Sequence, residues 1–342
     1  MDRIVIIGNG FDKAHNLPTG YKDFMEYLKD SIVNNGIKCE KFKEYIHRTT
    51  IEGKEDPWIS VKKIPNKNSF KFEVNPHSNS IYFKSLFEER NELGFWSDLE
   101  SHYYEILLKN KESLEATRIV NEEFNHLKQL LFNYLIKEIE QEIGSDCKYS
   151  TDKGNSIFKM LRNGHNDFEF EKTFFVTFNY TTKILIQYFF WLRDNNGKEK
   201  YPIEPIHIHG DLANPSNPII FGYGDENSKE YKELELIGNN ELLKNFKTFQ
   251  YLRSNKYGNV LGLLSESNEI YIQVIGHSCG LCDKALLRAI FQHENVKYIE
   301  PTYYNDETKY FENLYNISRI FDDNTLMREK IIPLNETFKI GN

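Results

Sequence analysis

Short apolar runs without polar alternation recur along the chain. They lie at residues 3–7, 173–177, 203–208, 219–221, 270–275 and 297–300. A strand covered on both faces reads as a continuous apolar run, whereas a half-exposed strand alternates apolar and polar residues. The pattern therefore predicts the strands of a buried, mostly parallel sheet.

Helical spacing separates the first predicted strand from the others. Apolar residues recur every three or four positions in 21–32 and again within 81–143, which predicts amphipathic helices. Between these stretches, residues 50–80 are rich in Asn, Lys, Ser and Pro and show no sustained period, which indicates an irregular or partly extended excursion. Further helices are predicted after Asn179 and after Asp283, where they connect successive strands.

This order of elements predicts an α/β protein with a doubly wound, mostly parallel, Rossmann-like sheet. A large helical insertion follows the first strand and helix. Residues 1–20 and 165–342 are expected to form the α/β core, and residues 21–164 the mainly helical insertion.

The composition is that of an ordinary globular protein. The chain of 342 residues carries a net charge of -8. This acidic balance argues against a surface for nucleic acid or an anionic membrane, because such surfaces carry a basic excess. The start of the chain lacks the pattern of a signal peptide, and no run of about 18 apolar residues occurs. The sequence therefore predicts a cytoplasmic protein without a membrane span.

The first predicted strand ends in Gly8-Asn9-Gly10-Phe11-Asp12. Glycines at this place let the backbone approach a phosphate, and the next helix offers its N-terminus. A complete dinucleotide fingerprint needs another glycine three positions after the second one, where the chain has lysine. A simple glycine turn between strand and helix is therefore the alternative.

Two later strand ends carry polar side chains. Asn179 follows one strand and either points above the sheet or caps the next helix. His207 and His209 share one face of another strand, and Gly210 after them lets a ligand come close. Buried structural histidines are the alternative at this place.

A fourth strand ends in Gly276, His277 and Ser278, and Asp283 follows on a predicted helix. Polar strand ends on one parallel sheet converge on the crevice where open α/β sheets bind ligands. The convergence of four such ends predicts a ligand site there.

Two other kinds of site fit parts of these motifs. Residues 276–280 satisfy G-x-S-x-G, the nucleophile elbow in which Ser278 attacks. The only histidine after it is His293, with Asp283 alone between them as the acid, which leaves no room for the remaining strands of a serine hydrolase. Residues 207–211 begin like a metallo-hydrolase motif, but leucine replaces its last histidine, so no metal is expected.

Taken in order, the motifs resemble AbiH, a bacterial abortive-infection family. The resemblance is plainest in IIGNGFDKAHNLPTGYKDF, FFVTFNYT, IHIHGD and VIGHSCGLCD, and it spans residues from about 4 to 300. AbiH is itself similar to the sirtuin-like superfamily. There, a Gly-rich loop, an Asn-bearing strand end, a His-Gly and a late Gly-x-Ser follow in this order around bound NAD.

The resemblance implies a sirtuin-like NAD glycohydrolase that depletes NAD on infection, with NAD as substrate or ligand. It places Asn179 at the nicotinamide ribose and its attacking water, and makes His209 the general base. The remaining dinucleotide contacts that it implies are Gly8, Asn9, Gly10, Phe11, Asp12, Gly210, Gly276, His277, Ser278 and Asp283.

The chain departs from the sirtuin pattern at two site positions and in its cysteines. Thr181 stands where an aspartate often follows the catalytic asparagine, and Asp12 where sirtuins carry a small hydroxyl residue. Only Cys279 and Cys282 are closely spaced, so the zinc module of the deacetylases is missing. A non-catalytic alternative is a nucleotide sensor whose helical insertion binds a phage protein or another subunit, including a second copy of the chain.

Overall fold

The computed structural model describes residues 1–41, 43–50, 53–67, 69–89, 96–143, 151–164, 168–195, 200–214 and 216–341. The chain forms two compact units. The first, called the sheet unit, comprises Met1–Thr19, Phe132–Asn227 and Phe246–Asn342. The second unit comprises Gly20–Leu131 and Ser228–Asn245.

The strands of the described residues are β1 (Asp2–Ile7), β2 (Ile37–Lys38), β3 (Tyr45–Thr49), β4 (Glu55–Lys63), β5 (Phe70–Val74), β6 (Thr173–Thr177), β7 (Ile206–His207), β8 (Ile270–Ile275), β9 (Val296–Pro301), β10 (Tyr303–Tyr304) and β11 (Lys339–Ile340). The α-helices are α1 (Asn9–Ala14), α2 (Tyr21–Asn35), α3 (Tyr82–Glu89), α4 (Trp96–Lys109), α5 (Leu114–Tyr134), α6 (Asp152–Asn163), α7 (Lys183–Asn195), α8 (Lys229–Ile237), α9 (Lys247–Gln250), α10 (Lys256–Glu266), α11 (Lys284–Phe291), α12 (Glu307–Ser318) and α13 (Asn324–Lys330).

The sheet unit is built on five parallel strands in the order β7-β6-β1-β8-β9. Every residue of β1, β6 and β8 is buried, which explains their continuous apolar runs. The prediction of a mixed α/β protein with a mostly parallel sheet is thus confirmed. The chain places β6 and β7 on one side of β1 and β8 and β9 on the other, so the strand order reverses between β1 and β8, the place where open α/β sheets bind ligands.

One face of this sheet packs on helices to form the main apolar core. Ile4 and Val176 point into it from neighbouring strands, and Leu264 of α10 and Leu287 of α11 cover it. The core fixes the positions of the strands, and therefore of the loops that leave their carboxyl ends.

The second unit contains a four-stranded antiparallel sheet, β2-β3-β4-β5, beside its helices. The region 50–80 is therefore more regular than the sequence predicted, because its strands are stabilised by pairing with one another, as between Val61 and Phe72. The helices also depend on long-range contacts. Glu123 of α5 accepts hydrogen bonds from the backbone N–H groups of Ile81 and Tyr82 at the start of α3.

The predicted elements differ from the structure at three further places. The strand expected at 203–208 is limited to β7, and the one expected at 219–221 does not form, because Ile220 N–H donates to the carbonyl of His209 outside any ladder. Residues 132–164, which the sequence assigned to the insertion, pack within the sheet unit where described. The helical stretch 81–143 includes 90–95, which lie outside the described residues.

Among the described residues, no helix combines the length and the apolar character that crossing a bilayer requires.

Candidate functional site

Asp12 forms a buried polar cluster with Thr181 and Asn179 at the carboxyl ends of β1 and β6. The Thr181 hydroxyl donates to Asp12 Oδ2 at 2.7 Å, and the Asn179 amide donates to the same carboxyl and, through Nδ2, to the carbonyl of Gly8 at 3.1 Å. Burial raises the pKa of Asp12 to about 7, although these two side-chain hydrogen bonds oppose the increase. A carboxyl group with this pKa exchanges its proton near neutral pH.

The two departures from the sirtuin pattern are thus partners in the structure. Asp12 carries a carboxyl group where a hydroxyl is usual, and Thr181 carries a hydroxyl where a carboxyl is usual, and the two side chains are bonded to each other. Two carboxylates at this contact would repel in a buried site. Exchanging the two side-chain types at both positions preserves one donor and one acceptor.

A second polar cluster surrounds Asp283, which immediately precedes α11. The Lys247 ammonium lies 2.7 Å from Asp283 Oδ1, and His209 Nε2 lies 3.0 Å from the same oxygen. His209 Nε2 is also 3.1 Å from the Tyr251 hydroxyl. Lys247 is 1% exposed and His209 5%, so a cation, an anion and an imidazole share one buried contact.

Burial and the charge of Lys247 keep the imidazole of His209 neutral. Burial first, and then Lys247, lower the pKa of His209 to about 4. The pKa of Asp283 is lowered well below its usual value by Lys247 and His209, against the effect of burial. Lys247 already neutralises the carboxylate, so the cluster does not need an imidazolium.

The same contacts fix the tautomer of His209. An ionised carboxylate only accepts hydrogen bonds, so His209 Nε2 carries the hydrogen that points to Asp283. Nδ1 then holds the lone pair, and no hydrogen bond from another described residue engages it. This is the geometry of a histidine oriented by an acid, with its second nitrogen free to accept a proton.

His277 connects the Asp283 cluster to β8. Its Nε2 lies 3.4 Å from Asp283 Oδ2, and its Nδ1 accepts the backbone N–H of Cys279 at 3.0 Å. The Phe178 ring packs against both imidazoles, with centroids 4.2 Å from His277 and 4.9 Å from His209. His277 is therefore a positioning residue between the strand end and the acid.

Contacts through Gly8 make the two clusters neighbours. Asn179 donates to Gly8, and a Cβ placed on Gly8 would lie 2.4 Å from the Cα of His277. His277 in turn contacts Asp283, which holds His209. The structure therefore brings the two predicted catalytic residues, Asn179 and His209, to the carboxyl edge of the sheet, where a short chain of contacts connects them.

The glycines of the first loop serve backbone packing. The N–H groups of Gly8, Gly10 and Phe11 donate to the carbonyls of Ile275, Gly276 and Gly8 at 3.0, 2.8 and 2.9 Å. These donors are engaged within the chain, and α1 has only six residues. The simple glycine turn accounts for the motif, and its contact with a dinucleotide phosphate stays a prediction.

A substitution at Gly276 tests the close approach between the loop after β8 and the loop after β1. Its φ of +66° and a Cβ that would lie 2.4 Å from Phe11 N make alanine both strained and clashing. We expect Gly276→Ala to lower the free energy of unfolding by ~3 kcal/mol or more in chemical denaturation. The matched control is Gly238→Ala, with φ +71° but open space around its Cβ, which should cost only ~1 kcal/mol. Equal losses in the two variants would show that the contact between the loops contributes nothing.

Other predicted dinucleotide contacts have partners of their own. The Asn9 amide oxygen accepts from the Thr19 hydroxyl at 2.6 Å, and the Phe11 ring packs against His15 and Tyr188 at centroid distances of 4.7 and 5.3 Å. These contacts stabilise the fold. A ligand that binds at Asn9 or Phe11 would have to leave them in place.

The strand β7 ends at His207, so His209 lies beyond it and the two histidines do not share a strand face. They have different partners. The His207 ring donates to the backbone carbonyl of Asn179, and burial lowers the pKa of His207 to about 4. Its Nδ1 is buried without a partner among the described residues. Gly210 after them has φ +90°, and a Cβ there would lie 2.3 Å from the carbonyl oxygen of Pro218, so glycine is required by the backbone.

Ser278 lacks the surroundings of a catalytic serine. Its side chain is exposed and makes no hydrogen bond to a described residue, while its carbonyl accepts from Asn316 at 2.8 Å. The positive φ of this loop falls on Gly276 and Cys279 rather than on Ser278. The only imidazole beside it in sequence, His277, is held by Asp283 and by a backbone N–H.

The described residues contain no group of three or more His, Cys, Asp or Glu side chains arranged to hold a metal ion. The sequence did not single out Lys247 or Tyr251, which the structure adds to the site. Neither lies in a motif, and Lys247 stands 36 positions from Asp283.

The chain matches the family model described as "Bacteriophage abortive infection AbiH" over residues 4–305. This range includes both polar clusters. A comparison with curated proteins finds no match.

Proposed function

We propose that this chain, which belongs to the AbiH family of bacteriophage abortive-infection proteins, hydrolyses NAD at the carboxyl edge of its parallel sheet. Membership of the family indicates a bacterial anti-phage role. In this proposal the chain is a sirtuin-like glycohydrolase that acts in the cytoplasm and depletes NAD after infection. The argument for the reaction rests on the residues of the crevice.

The observation that carries the proposal is the state of His209. Its imidazole is neutral, its Nε2–H is oriented by Asp283, and its Nδ1 lone pair is not used by another described residue. A buried acid that orients a neutral imidazole is the arrangement of a general base.

The reaction needs little covalent work from the protein. The bond between the ribose C1′ and the nicotinamide nitrogen breaks, nicotinamide leaves as a neutral molecule, and the ribose develops oxocarbenium character. Water forms the new C1′–O bond while His209 Nδ1 accepts its proton, a contribution of about 10²–10⁴-fold for a positioned base. The Asn179 amide donates to Asp12 and Gly8, which leaves its oxygen to orient the water or a ribose hydroxyl.

Asp12 has a separate role in this proposal. Its carboxyl group, with a pKa of about 7, accepts a hydrogen bond from a ribose hydroxyl. It does not face the pyrophosphate, because the ionised carboxylate would repel the phosphates. The phosphates are bound by donors other than the N–H groups of Gly8, Gly10 and Phe11, which are engaged within the chain.

The test is nicotinamide release from NAD by the purified chain, with and without lysate from phage-infected cells, beside calorimetric titration with NAD. Release in step with NAD loss, in at least one condition, is the expected result. Binding without release in every condition would replace the glycohydrolase with a nucleotide sensor. If the chain neither binds NAD nor releases nicotinamide, NAD is not its ligand and the proposal fails.

A further inference from the structure

A cavity of about 460 Å³ lies in the sheet unit, and no residue of the two polar clusters lines it. Gln273 of β8 and Glu300 of β9, paired in register, line it, together with α6 and residues 335–339. Ile272 and Val274 flank Gln273 on β8 and belong to the apolar core, so alternation places Gln273 on the opposite face of the sheet. The volume is within the range of sites for small molecules and far exceeds that of one water.

The inner end of this cavity is a built polar group. Glu300 is 0% exposed and Gln273 is 2% exposed. Glu300 Oε2 accepts from Gln273 Nε2 at 2.7 Å and from the Tyr271 hydroxyl at 3.1 Å, and Oε1 accepts from the backbone N–H of Phe338 at 2.7 Å. The three donors hold both side chains in place.

Gln273 Oε1 is the one part of this group that is not satisfied. It is buried, and no donor from the described residues reaches it. The amide cannot rotate to exchange its two ends, because Oε1 would then face the carboxyl oxygen that Nε2 now contacts. A buried acceptor without a donor is costly, so its donor is expected from whatever occupies the cavity.

The outer end carries groups of both charges. Lys159 of α6, Lys339 of β11 and Glu336 line the cavity, and all three side chains are exposed. No ion pair with another described residue engages the Lys159 ammonium. The cavity therefore offers hydrogen-bond acceptors inside and two ammonium groups beside the Glu336 carboxyl group outside.

We infer that this cavity binds a small polar molecule that carries an N–H donor at one end and an anionic group at the other. The N–H group donates to Gln273 Oε1, and the anionic end lies beside Lys159 and Lys339. Amino acids, as zwitterions with an ammonium and a carboxylate, and nucleoside monophosphates, with base N–H groups and a phosphate, both have this chemistry. The site is separate from the NAD crevice, and it does not depend on the reaction proposed there.

The test is calorimetric titration of the full chain with two sets of probes: L-amino acids, and the nucleoside monophosphates AMP, GMP, CMP and UMP. We expect at least one probe to bind. Gln273→Met, which keeps the side-chain length but removes the acceptor, should weaken that probe about tenfold or more. The set that binds identifies the source of the ligand.

A second variant, at the surface, keeps the inference testable if Gln273→Met does not fold. Lys159→Gln should weaken binding several-fold and reduce its dependence on salt, because it removes an exposed cation. The matched control is Lys153→Gln, another exposed lysine on α6 that does not line the cavity, which should bind as the unmodified chain does. Binding by no probe at millimolar concentration overturns the inference. So does binding that both Gln273→Met and Lys159→Gln leave unchanged. Neither result involves NAD turnover, so the two proposals fail independently.

Discussion

His209→Ala should lower kcat for nicotinamide release by about 10²–10⁴-fold while calorimetry still detects NAD binding. The variant removes the imidazole that Asp283 orients at 3.0 Å and with it the proton acceptor for the attacking water. Binding is retained, because the residues at the carboxyl ends of β1 and β6 are unchanged. The measurement is a steady-state assay of nicotinamide, with the NAD titration run on the same preparation.

His293→Ala is the control for this variant. That imidazole lies in the sheet unit outside both polar clusters, where its Nδ1 accepts only the backbone N–H of Asn295. Its kcat should match that of the unmodified chain. If His209→Ala kept full activity, the general base would lie elsewhere.

The pH profile separates His209 from the other candidate base. A base with a pKa of about 4 stays deprotonated through neutral pH, so kcat at saturating NAD should fall only as the pH approaches 4, whereas the ribose contact of Asp12 affects KM. Asp12, with a pKa of about 7, would instead give an acid limb near neutrality. An acid limb near 7 that Asp12→Asn abolishes would transfer the role of base to Asp12.

Lys247→Met should lower the free energy of unfolding by ~3–5 kcal/mol, the usual loss when one partner of a buried ion pair is removed. The methionine preserves most of the side-chain volume, but Asp283 loses the cation that lies 2.7 Å from its carboxylate. Equilibrium unfolding in urea at neutral pH measures the change.

The same variant should change its stability with pH in a defined direction. Without Lys247, the unpaired Asp283 carboxylate favours the imidazolium form of His209, so the pKa of His209 rises from about 4. A histidine whose folded-state pKa lies closer to its unfolded value of 6.5 loses less stability when the pH is lowered. The difference in free energy of unfolding between Lys247→Met and the unmodified chain should therefore become smaller as the pH is lowered toward 5.

Lys284→Met is the control for burial. Its ammonium pairs with Asp225 at 3.3 Å, but the lysine side chain is 21% exposed, so solvent screens the pair and the loss should be at most ~1 kcal/mol. Equal effects of the two substitutions would contradict the importance assigned to the buried cluster.

Local patterns in the sequence were sufficient for the centre of the fold. The apolar runs of β1, β6 and β8 predicted strands that are buried throughout, because a parallel sheet excludes water from both faces. The sequence did not predict the strands β3 to β5, because each is partly exposed and depends on pairing with its neighbours. Periodicity reports burial along one element, not partners found across the chain.

The sequence by itself determined the family and placed Asn179 and His209 at strand ends and Asp283 on the following predicted helix, since strand ends, helices and polar residues are all local features. Only the tertiary structure decided what those residues contact. Lys247 meets Asp283 across 36 positions, and Thr181 meets Asp12 across 169. Burial and charge pairing depend on such distant neighbours, so the tertiary structure alone sets the pKa of each group in the site.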